Sequence, residues 1–198
     1  MRTDEIANKL EHFFVAEKGY SAVPTQIIQD NGKRKFTYTA IRGEINTQSY
    51  RNHIKTEVGL TPSPLIDHDK CYWGAIDIDT YNMEGAKKKE IIEGAKELHL
   101  APAFSKSQGI HLYCVSKDKI LAKAMRNYLA YCRATLKLDP KTEIFPKQDE
   151  VSITEENGFK KFGYGNGITI PYRSFEIHAE KDQPWGIELY EEDKIRLL

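Results

Sequence analysis

Cysteine is scarce in this chain and poorly placed for pairing. Its 198 residues include three, Cys71, Cys114 and Cys132, and none forms a CxxC pair. Neither a zinc site nor a disulfide framework is suggested, and free thiols fit a reducing cytoplasm. No run approaches the roughly 20 apolar residues that a membrane span needs. "MRTDEIANKLEHFF" holds no apolar signal core, so no membrane partner is expected. An excess of one charge is also missing, since Lys plus Arg and Asp plus Glu stand at 29 each. No global field announces nucleic acid, yet a neutral protein has room for a local basic groove. Repeats, low-complexity segments and a domain-separating linker are absent too. What remains is 40% hydrophobic and 29% charged, ordinary for a globular domain with a real core.

Periodicity orders the chain. Ile6, Leu10, Phe13 and Phe14 recur at helical spacing, predicting a helix over 3–17. Residues 19–35 read as turn-rich, with "DNGK" a hairpin turn before the alternating strand "KFTYTAIR". A short helix is expected over 47–57, then an extended "TPSPLIDHD". From residue 73 the pattern is strand "WGAIDID", helix 84–98, strand "APAF", turn "SKSQG", strand "IHLYCVS", helix 117–138 and strand "EIFPKQ". That order is β-α-β-β-α-β, the split βαβ arrangement of ferredoxin-like and RNA-recognition-motif (RRM) folds. The fold class is therefore α+β: an RRM-like core over 61–175, an N-terminal α/β extension over 1–60, and strand-like "GITIPY" before a polar tail.

The informative residues lie inside the first core strand. Asp77 and Asp79 point the same way on a strand of period two, and Ile76 and Ile78 point the other. In a split βαβ sheet that strand is central, flanked by the strands that start with His111 and Glu143. One face then gathers Asp77, Asp79, Glu143 and His111. Taken singly, each has an ordinary reading: a chance D-x-D, a half-buried histidine, a solvated glutamate. Together they form a cluster that cannot stay fully ionised without a cation. All-oxygen ligands suit Mg²⁺ or Mn²⁺ rather than zinc, and such a cluster is what two-metal phosphoryl or nucleotidyl transfer uses.

Three segments, "WGAIDIDTY", "SKSQGIHLY" and "EIFPKQ" with the later "GNGITIPY", resemble in order and spacing the three motifs of the archaeo-eukaryotic primase superfamily, the primase-polymerases. The likeness runs over roughly residues 53–172. It extends in particular to the primases of TOTE conflict systems and to CRISPR-associated and phage primase-polymerases. The third motif here carries Glu143 where many members have aspartate. The second-motif turn is shorter than the family's usual one, which leaves open which serine meets the substrate.

The resemblance implies a template-dependent nucleotidyltransferase that takes NTPs or dNTPs and a single-stranded DNA template. A helicase or further domains of a longer chain are implied partners. Asp77, Asp79 and Glu143 would hold two divalent ions, Mg²⁺ or Mn²⁺. Ser105, Ser107, Gly109 and His111 would bind the triphosphate. Lys147 reads either as added charge on the phosphates or as a solvated lysine. Asn166 reads either as a sugar or base contact or as a turn residue between glycines. Tyr172 and Arg173 read either as a template clamp or as strand-end packing. Three rivals stay open: a gap-filling or terminal nucleotidyltransferase without priming, a non-catalytic single-strand-binding domain, and a D-x-D glycosyltransferase.

Overall fold

The alternation in "WGAIDID" sorts two different faces of one central strand. The computed structural model describes residues 3–30, 33–56, 58–79, 83–104 and 109–173, with side chains described outside residues 3, 22–38 and 162. The elements are α1 (Thr3–Phe13), β1 (Lys18–Asp30), β2 (Lys33–Glu44), α2 (Thr47–Lys55), β3 (Gly59–Pro62), β4 (Lys70–Ile78), α3 (Gly85–Glu97), β5 (Ala101–Phe104), β6 (Ile110–Leu121), α4 (Ala122–Thr135), β7 (Glu143–Phe145), β8 (Ile153–Glu156) and β9 (Phe159–Phe162). The fold is α+β. A four-stranded sheet runs β5-β6-β4-β7 with every neighbouring pair antiparallel. β4 is thus interior, with the strands of His111 and Glu143 on its two sides. A second sheet, β2-β1-β3, carries the N-terminal part.

On one face of the four-stranded sheet, Ile76, Ile78, Leu112 and Cys114 pack under Ile91 and Ala95 of α3 and Met125 and Leu129 of α4. The opposite face is also covered over much of its area. Trp73, Ala75, Tyr113 and Phe145 pack against Ile6, Leu10 and Phe14, against Tyr50 and Ile54 of α2, and against Ile168 and Ile170. Phe14 meets Trp73 and Tyr113 edge-on, at centroid distances of 5.2 and 4.9 Å. Each such pair adds about 0.5–1.5 kcal/mol beyond simple burial. The Trp73 indole N–H donates to the Val15 carbonyl at 2.9 Å, so its polar atom is satisfied within the cover. Cover gives out along β4 itself: Ala75 is fully buried, and the Asp77 side chain, next on that face, is 30% exposed.

Gly74 explains how closely β7 and α4 approach β4. A Cβ there would lie 2.6 Å from the Phe145 carbonyl oxygen and 2.7 Å from Met125 Cγ. Any side chain would push β7 away, and with it Glu143.

Three segments differ from their sequence reading. Of residues 19–35, read as turn-rich, 19–30 and 33–35 lie in the paired antiparallel strands β1 and β2, and the centre of the "DNGK" turn lies outside the described residues. Pro24 falls at a register shift there, a position where a strand tolerates proline. Residues 117–121, read as the start of a helix, continue β6. Pairing of Ile120 with Cys71 and Leu121 with Lys70 holds them extended, and α4 begins only at Ala122. "GITIPY" is not a regular strand, although Ile168 and Ile170 donate to the carbonyls of Pro62 and Leu60 at 3.3 Å. Among the described residues no helix is long and apolar enough to cross a membrane.

His53 pins this cover together. It is fully buried; its Nδ1 accepts from the Leu60 N–H at 2.9 Å and its Nε2–H donates to the Pro171 carbonyl at 2.8 Å. Burial, joined by the nearby charge of Arg173, pushes this imidazole down from 6.5 to about 4. The unfolded chain therefore takes up a proton that the folded chain refuses, and stability falls as pH drops from 6.5 toward 4. The loss from this one group reaches about 3 kcal/mol. Urea midpoints across that range should fall accordingly, with NMR showing the His53 ring still neutral at pH 5. A His53 ring that titrates like a free imidazole would refute the assignment.

Candidate active site

A strand register places the key residues. Asp77 of β4 pairs with His111 of β6 on one side and with Glu143 of β7 on the other. Directly opposed residues on antiparallel strands stand about 4.5–5.5 Å apart at Cα, so the three form a row across the sheet. Like charges in that position repel, and each carboxylate here has its own basic partner. His111 Nε2 lies 3.2 Å from Asp77 Oδ1, and Lys147 Nζ lies 2.5 Å from Glu143 Oε1. Lys147 reaches back one turn beyond β7, its ammonium 5.0 Å from the centre of the Phe145 ring.

Hydrogen-bond accounting assigns the proton on His111 Nδ1. Tyr113, two residues along the same face, donates its hydroxyl to the Thr169 carbonyl at 3.0 Å. A carbonyl only accepts, so the Tyr113 oxygen is left to accept from His111 Nδ1, 2.9 Å away. The Nδ1–H of His111 therefore donates to the Tyr113 oxygen and fixes the ring, with Nε2 turned to Asp77 Oδ1 at 3.2 Å. Burial, reinforced by the Asp77 charge, raises the Tyr113 hydroxyl well above the usual tyrosine range, which keeps it protonated as a donor.

The remaining sequence-predicted residues spread unevenly. Asp79 lies one residue past the end of β4 and is exposed. Gly109 is buried immediately before β6. Ser105 and Ser107 lie outside the described residues. Asn166 is exposed between Gly165, at φ +65°, and Gly167, where a Cβ would meet the Thr61 carbonyl at 2.5 Å. That fit makes the segment a close strap along β3. Tyr172 is buried among the residues of α1 and α2, so its ring has no face to offer a base, and its stacking role gives way to packing. Arg173 lies over Gly59, its guanidinium carbon 2.9 Å from where a Cβ would stand. It belongs to the His53 end of the cover rather than to the Asp77 row.

A model of the archaeo-eukaryotic primase domain of TOTE conflict systems matches residues 2–182. The chain belongs to that family. Members of this primase family are nucleotidyltransferases and generally use divalent metal ions. A search of curated proteins found no match to the chain.

The primase domain's donor set suits a hard divalent ion in kind, because carboxylate oxygens dominate the row. As the side chains stand, no three of the described His, Cys, Asp or Glu side chains group closely enough to hold one. Asp77 is turned to His111 and Glu143 to Lys147. Freeing Glu143 means giving up a largely exposed ion pair, worth about 0–1 kcal/mol, so the obstacle is small.

Sequence reasoning overlooked Tyr113 as part of this site. Its signal was present: His111 and Tyr113 are two apart on one strand and must share a face. Replacing Tyr113 by Phe should leave the Thr169 carbonyl and His111 Nδ1–H unpaired and cost about 1–3 kcal/mol of stability by urea denaturation. A change within about 0.5 kcal/mol, as at an ordinary surface position, would show that the hydroxyl does not hold the ring.

Proposed function

We propose that the chain is a template-dependent nucleotidyltransferase, acting as a DNA primase and/or polymerase with NTPs or dNTPs on a single-stranded DNA template. The observation that carries the reading is the row of His111, Asp77 and Glu143 across three adjacent strands, at the point where the sheet's cover gives out. In this reading Asp77, Asp79 and Glu143 hold two divalent ions, Mg²⁺ or Mn²⁺. Bound there, such ions lower the pKa of an attacking 3′-hydroxyl and offset charge on the triphosphate and the leaving pyrophosphate.

The chain's own groups do the rest. His111, its ring held at Nδ1 by Tyr113, offers Nε2 for a charge-assisted hydrogen bond to a phosphate oxygen once Asp77 turns to a cation. Gly109, without a side chain, lets the backbone before β6 approach the phosphates. Lys147, released from Glu143, is placed to follow them. Ser105, Ser107 and Asn166 complete the proposed nucleotide contacts. The apolar cover behind Asp77, from Ala75 to Trp73, keeps bulk water from the back of the site, which strengthens every charge interaction at its mouth.

The direct test is incubation with unprimed single-stranded DNA, labelled NTP and Mn²⁺, with products sized on a gel. New chains support priming. Extension of a primed template alone reduces the reading to polymerase activity, and no product in either case removes it. Activity should vanish in EDTA and return with Mg²⁺ or Mn²⁺ but not with Zn²⁺ alone; turnover in chelator would sink the metal assignment. The Asp77→Ala, Asp79→Ala double variant should lose nucleotide transfer while retaining its fold by circular dichroism.

His111 separates nucleotide binding from metal chemistry. A charge-assisted hydrogen bond is worth about 1.5–3 kcal/mol, so His111→Ala should weaken nucleotide engagement roughly 10- to 150-fold. The loss should appear in KM for the incoming nucleotide, and in kcat too if the contact tightens as pyrophosphate leaves. Affinity for the template strand should stay the same. Unchanged KM and kcat would return His111 to the role of a packed strand residue.

A further inference from the structure

Helix α4 carries two stripes. Ala122, Met125, Leu129 and Cys132 form the buried one, packed beneath the sheet. Beside it, Lys123, Arg126 and Arg133 line a groove of about 410 Å³ between α4 and the β7 region. Lys147 and Glu143 form its opposite wall, so the groove reaches the carboxylate row. Its lining holds four cationic side chains, these three and Lys147, against two acids, Glu143 and Asp149. This surplus stands out on a chain with no net charge. Arg126 is paired with Asp149, and Arg133 donates to the Thr142 carbonyl at 2.9 Å, which orients both guanidinium groups along the groove.

We propose that this groove binds the phosphate backbone of single-stranded nucleic acid where the strand passes beyond the candidate active site. The inference rests on the proposed reading of the chain as a strand-copying enzyme. Three considerations select this occupant. From Lys123 to Arg133 the helix rises roughly 15 Å, enough for about four stacked nucleotides at roughly 3.4 Å each and longer than one triphosphate needs. The groove also lies on the α4 side of the edge strand β7, whereas a nucleotide's triphosphate has to meet the carboxylates on the Asp77 face. Finally, the ion pairs to Asp149 and Glu143 are partly exposed and cheap to exchange, so phosphates replace carboxylates at little cost. No aromatic side chain lines the groove, so the contact expected is ionic and independent of sequence.

The test is fluorescence anisotropy with a labelled oligothymidylate across a salt series, in the intact chain and in a Lys123→Gln, Arg126→Gln double variant. Each phosphate contact to a single strand contributes about 0.7 to the slope of log K against log salt. The double variant should lose about 1.4 of that slope and bind roughly tenfold or more weakly at 0.1 M salt, with its melting temperature and Mg·NTP binding unchanged. A Lys123→Arg, Arg126→Lys variant should keep both slope and affinity. Equal slope and affinity in the Gln variant and the intact chain would overturn the proposal. So would weaker Mg·NTP binding with strand binding intact, which would assign the groove to a triphosphate instead. Because the readout is binding, the inference and the catalytic reading fail separately: a chain inactive in the priming assay can still lose strand binding through the groove substitutions, and an active one can fail to.

Discussion

A carboxylate in the interior strand of a sheet has to be paired or wet, and the architecture around Asp77 supplies both. Its side chain shares a face with Trp73 and Ala75, which are sealed under α1 and α2. Two residues later the cover ends and His111 takes over as partner. The histidine is in turn held by Tyr113, whose hydroxyl is anchored on the Thr169 carbonyl. Thr169 belongs to the strap that lies along β3 and hydrogen-bonds Thr61. The charge at Asp77 is therefore connected, contact by contact, to the N-terminal part of the chain. That part is scaffold for the candidate site as much as it is cover for a core.

This chain of contacts explains what the sequence could and could not reveal. Asp77, His111 and Glu143 were legible because period-two alternation and one topological rule, the first strand of a split βαβ unit being central, suffice to bring them together. Tyr113 was equally constrained to that face, but a tyrosine in an apolar strand carries no mark separating a packed ring from a working hydroxyl. Tyr172 was legible only as a choice between a template clamp and strand-end packing, and it takes the tertiary packing of α1 and α2 to show its ring enclosed. The boundary between β6 and α4 was misplaced for a related reason. Leu121 fits the helical stripe of Met125 and Leu129, and what decides against it is pairing with Lys70, some fifty residues earlier in sequence. His53, the buried staple of the cover, had no local signal, since its two partners come from β3 and from the strap.

The α4 stripes show how one helix serves two purposes at a single period. Residues 122, 125, 129 and 132 bury apolar atoms, and residues 123, 126 and 133 lie just around the cylinder from them. Read along the sequence, the second set looks like the solvated face that any amphipathic helix must have. Its position becomes meaningful only when β7 and the residues after it form the other wall.

A protein that handles nucleic acid through carboxylates faces a conflict, because the acids that attract metal ions repel phosphate. In this chain the two charge types are sorted by the edge strand β7. The carboxylate row faces the Asp77 side, the cations of α4 lie on the other with Asp149 paired to Arg126, and Glu143 with Lys147 forms the seam. Each keeps the other neutral while neither ion nor strand is bound. Under the proposed reading, a phosphate drawing on Lys147 frees Glu143, and a cation drawing on Glu143 frees Lys147. By linkage, what favours one ligand then favours the other to the same degree.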